Sequence, residues 1–322
     1  MKRLVAVALL LVFALGAIGI ASAADYPTKN ISMICPWAAG GGTDATLRAL
    51  SMAAEKILGK SIVVENKTGG GGLIGHSAIA LAKPDGYTLG MVTFELSTYV
   101  PQDTGDITWE SYDILCRVNT DAAALSVNTA WAKANNVVDV ASFVEYCKAN
   151  PGTVNIGNSA PASVWHIGAG LLAQTAGIEV KHIAFEGAAP AVTALAGGHI
   201  EAVSVSLGEV RSQMEAGNIT VLGVMDTIRP AKYPEIKTFQ EQGYDVVYGT
   251  WRGLALPKGV DPAIKAILAD AFAKAVEDPD FIAFMNNSML TIAYQNTEDF
   301  SAFLAQNYKD VSETMKALGL SD

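Results

Sequence analysis

ISMICPWAAGGGTDATLRALSMAAEKILG, from Ile31 to Gly59, holds both periods of an α/β unit in one stretch. Ile31–Cys35 is a short apolar run of strand type, and residues 44–58 place Leu47, Leu50, Ala54 and Ile57/Leu58 on one helical stripe that Gly59 is positioned to end. Between them lies Pro36-Trp37-Ala38-Ala39-Gly40-Gly41-Gly42-Thr43-Asp44. Three glycines let bare backbone approach a ligand, while the first-turn N–H groups of the helix present the positive end of its dipole. The loop is therefore a candidate anion seat. Thr43 is placed as the N-cap with a hydroxyl that can also donate to a ligand. Asp44 suits the dipole but repels a carboxylate in direct contact, so a bridging water would reconcile the two. The same residues also fit a strand-to-helix turn that binds nothing.

Outward from this unit the alternation continues. Strand-like runs fall at 61–65, 87–93, 123–127, 153–157, 179–184, 200–205 and 219–225, and helical periods at 139–149, 162–176, 187–197 and 208–216. Apolar runs alternating with helices predict parallel sheets flanked by helices. After an extended stretch, Trp251–Leu256, the last third turns helical at 261–277, 279–287 and 297–318, with Asp261 and Asp278 as caps and Pro262 and Pro279 in first turns. Nothing repeats at a solenoid period and no low-complexity linker divides the chain. Two domains joined by crossing strands fit this better than two independent beads.

The N-terminus sets the compartment. Lys2 and Arg3 precede an uncharged run from Leu4 to Ile20, and Ala21-Ser22-Ala23 supplies small residues for a signal peptidase, so residues 1–23 read as a cleaved signal peptide. No Cys follows the cleavage site to carry a lipid. Removing the leader takes two basic residues and no acid, which moves the formal charge from −10 to −12. That surface disfavours nucleic acid and anionic membrane, and an anion site must be built locally. Cys35 lies in an apolar run and reads as core, leaving Cys116 with Cys147 as the pair open to bridging. His76, His166, His182 and His199 show neither the spacing nor the cysteine neighbours of a zinc site, and no metal or cofactor is expected.

Several enzyme motifs are near misses. Gly69–Gly75 contains a formal G-x-G-x-x-G with Glu95 beyond it, but Glu65–Thr68 separate it from the preceding strand, so a dinucleotide would not find its pyrophosphate seat. Gly59-Lys60-Ser61 follows a helix where a phosphate loop must precede one. Gly157-Asn158-Ser159-Ala160-Pro161 puts a serine between strand and helix, yet Pro161 stands where a nucleophile elbow needs glycine, and His166 sits on the same segment, the wrong place for a triad base. Ser159 reads better as a polar binding group. A secreted serine hydrolase using Ser159 is the rival function.

PWAAGGGTD (36–44), VENKTGGGGLIG (64–75), KPDGYTL (83–89), KANPGTVNIG (148–157) and GGHIEA (197–202) together resemble the periplasmic receptors of tripartite tricarboxylate transporters, the Bug family. The resemblance implies a type II periplasmic binding fold, in which two lobes enclose a ligand cleft and two crossing strands form the hinge. It also implies a receptor that captures a small organic carboxylate in the periplasm and delivers it to a membrane permease, without catalysis. Carried onto this chain, the first-lobe contacts are Trp37, Ala39, Gly41, Gly42, Thr43 and Asp44. The second-lobe contacts are Ser159, Ala160 and Ser163, then Phe185 and Gly187, then Ser206. The sequence departs from the family pattern at Trp37 for Phe, Ala39 for Pro, Pro161 in a Gly/Ser-rich turn, and Phe185-Glu186 for Tyr-Lys.

The resulting expectations are specific. Lobe one comprises residues 26–124 and 252–322, and lobe two 125–251, in a monomer. With no lysine beside the cleft, the solute is a carboxylate with an apolar or aromatic body, or a short dicarboxylate, in preference to citrate. Trp37 either offers its face to that solute or packs between the loop and lobe one.

Overall fold

Ten strands and ten helices alternate along residues 26–321, the part of the chain described by the computed structural model. The expected signal peptide lies outside these residues. In chain order the elements are β1 (Ile31–Cys35), α1 (Gly42–Leu58), β2 (Ile62–Asn66), α2 (Leu73–Ala80), β3 (Thr88–Thr93), β4 (Tyr112–Asn128), α3 (Thr129–Ala134), α4 (Val140–Ala149) and β5 (Asn155–Asn158). Then follow α5 (Val164–Ala176), β6 (Lys181–Ala184), α6 (Ala188–Ala196), β7 (Ala202–Ser206), α7 (Leu207–Glu215), β8 (Ile219–Val224), β9 (Gly249–Pro257), α8 (Pro262–Ala275), α9 (Pro279–Asn287), β10 (Thr291–Gln295) and α10 (Thr297–Ala317).

Local chemistry explains the boundaries. Gly59 ends α1 in the left-handed region, φ 65°, returning its N–H to Glu55. Asp139 and Ser142 cap α4 reciprocally. Asp261 and Asp278 cap α8 and α9, each followed by a proline in the first turn. Leu47 and Leu50 of α1 are fully buried, each contributing about 2 kcal/mol of hydrophobic stabilisation.

The strands run β2-β1-β3-β9-β4-β7-β5-β6, with β8 and β10 also pairing β4. β1 lies parallel to β2 and β3, and β5 parallel to β6 and β7. β4 joins the two parallel groups: Tyr112–Ala122 pairs antiparallel with β9, while Ala123–Val127 pairs with β7 and Ala124–Asn128 with β8. The chain returns through Tyr248, whose N–H bonds Met225 and whose carbonyl accepts from Ala123. Helices α8 and α9 pack on α1, and α10 packs on β4 and β10. Trp251 and Phe300 meet edge to face at 5.4 Å beneath α10.

The structure departs from the sequence reading at three points. β4 covers 17 residues where only 123–127 reads as a strand. Its first half carries Asp113, Arg117, Asn119 and Asp121, whose side chains bond Gly259 and Val260, Ala293, and one another. Those bonds hide a strand behind polar residues. β10, α2 and α3 were likewise not legible. Finally, Cys35, Cys116 and Cys147 are all free and buried, with Cys116 in β4 and Cys147 in α4 belonging to different core clusters.

Candidate functional site

The C-terminal ends of β1, β3, β5 and β7 all point toward one pocket, the position at which open α/β sheets bind ligands. Its wall is formed by Trp37, Ala38, Gly41, Gly42 and Thr43 from the glycine loop, Thr93 and Glu95 after β3, Ser159, Val164 and Trp165 after β5, Ala188, Glu209, and Thr250 and Arg252 of β9. Four helices begin here: Gly42 and Thr43 open α1, Val164 and Trp165 open α5, Ala188 opens α6, and Glu209 lies in the first turn of α7. Converging N-termini make the pocket electropositive in its backbone. The enclosed volume is about 20 Å³, room for about one water molecule.

Within the glycine loop, Gly41 rather than Thr43 is the N-cap of α1. Thr43 lies inside the first turn because its hydroxyl accepts from Arg252 Nε at 2.9 Å, a bond made across the fold and not back to the helix. Asp44 does not line the pocket. It closes the loop on itself, accepting from Gly40 N–H (3.0 Å), Asn66 Nδ2 (2.8 Å) and Arg48 (2.9 Å). Burial pushes its carboxyl up, but the bonds from Arg48, Gly40 and Asn66 outweigh this and hold it below the ordinary value. Arg48 thereby has a structural partner. Ala39 is exposed and outside the pocket wall.

Trp37 lines the pocket with its indole N–H bonded to Thr93 Oγ1 at 3.2 Å. The glycine run that mimics a dinucleotide fingerprint supports this tryptophan: a Cβ on Gly72 would lie 3.1 Å from the Trp37 ring, and one on Gly75 would lie 2.5 Å from Pro36 Cα. Only glycine lets α2 lie that close to the loop. The Trp37 ring edge also approaches Gly187, whose φ of 118° is open to glycine.

Among the second group of expected residues, Ser159 lines the pocket and is buried. Ser163 caps α5, accepting from His166 N–H at 3.4 Å. Ala160 is buried against the glycine run, Phe185 packs beside Gly157, and Gly187 caps α6 next to Ala38. Ser206 caps α7 through Glu209. These five stand behind the pocket wall, not in it. His166 is engaged elsewhere: its Nδ1 accepts from Ala162 N–H at 2.9 Å, and its ring lies 4.2 Å from that of His182.

The sequence reading missed the buried charges. Arg252, 2 % exposed, pairs with Asp121, and its Nη2 stands 3.9 Å from Glu209 Oε1. Glu209 Oε1 also accepts from Gly42 N–H at 3.2 Å, so a carboxylate from α7 already occupies the first turn of α1. Glu95 accepts from Thr93 Oγ1 at 2.6 Å and from Val164 N–H at 3.4 Å. Burial raises both glutamates, only partly offset by those donors and by Arg252. Among the described residues, no group of three or more His, Cys, Asp and Glu could hold a metal ion, and no helix is long and apolar enough to cross a membrane.

Residues 46–320 match the family described as the tripartite tricarboxylate transporter family receptor. The chain is 30 % identical over 301 residues to a Cupriavidus necator protein, the "UPF0065 protein in gbd 5'region", covering 94 % of this chain and 91 % of that one. Among solved structures it is similar to a TctC solute binding protein from Polaromonas, at 33 % identity and a TM-score of 0.67, covering 91 % of this chain and 99 % of that one. It is also similar to the periplasmic binding protein BugD, at 25 % identity and a TM-score of 0.86, covering 92 % and 99 %.

Proposed function

The chain belongs to the tripartite tricarboxylate transporter receptor family, and from that membership we propose that it captures a small organic carboxylate and hands it to membrane subunits of a tripartite transporter. Its fold is that of a two-lobed periplasmic binding protein. The observation that carries the proposal is the convergence of four helix N-termini on one pocket, where the start of α6 is left without a side-chain cap beside the buried hydroxyl of Ser159. Oriented N–H groups stabilise a carboxylate without needing a lysine.

In this reading residues 26–124 with 252–322 form one lobe and 125–251 the other, joined where β4 exchanges β9 for β7 and β8 and where the chain returns into β9. A pocket of about 20 Å³ is far below the roughly 300 Å³ of ordinary ligand sites. In this reading solute enters when the lobes part at these two crossings. Residues 1–23 act as the export signal and are removed. Trp37, Gly41, Gly42, Thr43 and Ser159 face the solute. Asp44, Ala160, Ser163, Phe185, Gly187 and Ser206 hold those residues in place. The protein works as a monomeric receptor without catalysis; the absence of catalysis is supported by His166 Nδ1 being taken up by the Ala162 N–H.

The test is thermal denaturation across a library of organic acids, with each stabilising acid examined by NMR after incubation. Stabilisation with the acid recovered intact supports the proposal, because a ligand that binds only the native state raises its stability by mass action. Turnover lost in Ser159→Ala would establish a hydrolase instead.

A further inference from the structure

Resting on the reading of this pocket as a carboxylate receptor, we propose that the solute carries one protonated amine beside its carboxylate, and that Glu95 and Glu209 hold the amine. Three charged side chains line the pocket, and two of them are carboxylates. The third, Arg252, pairs with Asp121, bonds Asn119 and Thr43, and brings its Nη2 to 3.9 Å from Glu209, so its single charge is already met by carboxylates. A dicarboxylate would bring a second negative charge to a buried site whose single guanidinium is already paired with carboxylates.

The helix N-termini divide the same way. Gly42 of α1 donates to Glu209, Val164 of α5 donates to Glu95, and Ser206 at the start of α7 donates to Glu209 at 3.0 Å. The protein's own carboxylates thus occupy three of the four. At α6 the Gly187 cap makes no side-chain hydrogen bond, and Ala188 faces the pocket. Beside it Ser159, whose carbonyl accepts from Gly187 N–H at 3.0 Å, is 4 % exposed, with a hydroxyl that bonds no protein group among the described residues. That end takes the solute's carboxylate.

The other end takes the amine. A carboxylate offers about four acceptor positions and an ammonium three donors. Glu95 spends its positions on Thr93 and Val164, and Glu209 on Gly42 and Ser206, which leaves each with capacity toward the pocket. An amino-monocarboxylate satisfies both ends and adds no net charge.

The test is isothermal titration with three length-matched series of about two to six carbons: amino-monocarboxylates, dicarboxylates and alkylamines. An amino-monocarboxylate is expected to bind at least about tenfold tighter than the dicarboxylate of equal length. Glu95→Gln and Glu209→Gln should each remove most of that preference while circular dichroism stays native, and the wild-type ranking stands as the test should either variant fail to fold. A dicarboxylate binding tightest overturns this proposal and leaves the carboxylate receptor intact. An alkylamine binding as tightly as its amino-monocarboxylate overturns the carboxylate reading itself, and binding by no amino-monocarboxylate while other organic acids stabilise the protein overturns this proposal alone.

Discussion

Arg252 Nε donates to Thr43 Oγ1 at 2.9 Å, tying strand β9 to the first turn of α1 across 209 positions of sequence. The same guanidinium pairs with Asp121 of β4, and both side chains are 3 % exposed. Removing one member of such a pair strands a buried charge. Arg252→Met is expected to lower stability by about 3 kcal/mol, and adding Asp121→Asn should recover at least about half of that. Urea unfolding of the two variants checks this. A loss under about 0.5 kcal/mol in the single variant would show that water reaches Asp121.

The pair also shows which parts of the molecule were legible. The glycine loop and α1 could be read because strand period, glycines and helix stripe are local and contiguous. Arg252 looked like one charge in an extended stretch, and Glu209 like one acid on an amphipathic helix. Their meaning lies in partners 131 and 167 positions away, which no local period encodes. Asn119 and Asp121 hid the first half of β4 for the same reason, since polar residues satisfied inside a sheet look like loop residues. Thr43 was misjudged as a cap because nothing local announces its bond to Arg252.

Gly42→Ala tests the packing of the first turn of α1 against Arg252 and Glu209. Alanine favours a helix over glycine by about 1 kcal/mol, which alone would raise stability slightly. A Cβ at this position, however, would lie 2.9 Å from Arg252 Nη2 and 3.2 Å from Glu209 Oε1. Arg252 is pinned by Asp121 and Thr43 and retreats only by breaking a buried bond, so stability is expected to fall by about 1–3 kcal/mol. Solute affinity is expected to fall at least about tenfold, measured by titration beside a melting curve. Unchanged affinity would show that the described packing at Gly42 is not the solute-bound packing.

The histidine pair gives the pH dependence its sign. His166 is held down to about 4, first by burial and then by the neighbouring charge of His182, from an ordinary 6.5. Between those values the unfolded chain binds a proton that the native state refuses, so stability falls on acidification by about 1.4 kcal/mol per pH unit and levels off below pH 4. His76, buried and held down to about 3, adds a loss of the same sign. Glu95 and Glu209 oppose it, because burial raises them and their protonation favours the native state. Comparing His166→Gln with the parent cancels these shared contributions. The variant should lose about one proton from the slope of stability against pH between 6.5 and 4, followed by urea titration at several pH values. Equal slopes would place His166 in solvent.

Trp37, Thr93 and Glu95 form a chain in which the indole N–H donates to Thr93 Oγ1 at 3.2 Å and that hydroxyl donates to Glu95 Oε2 at 2.6 Å. The threonine therefore matters more than the tryptophan's single donor. Trp37→Phe leaves Thr93 free to keep its bond to Glu95 and loses one neutral hydrogen bond, a cost of about 1 kcal/mol. Thr93→Val removes the acceptor for Trp37 and also the hydroxyl donor of a buried carboxylate, and bonds to charged groups are worth about 2–3 kcal/mol. Denaturant unfolding should rank the two in that order. Solute titration should rank them likewise, with Trp37→Phe within about threefold of the parent and Thr93→Val weakened at least about tenfold, because a Glu95 without its donor no longer holds a fixed position in the pocket. If Trp37→Phe proves the more damaging to affinity while stability is unaffected, the indole N–H and not only the ring face serves the solute, and its bond to Thr93 is not its main role.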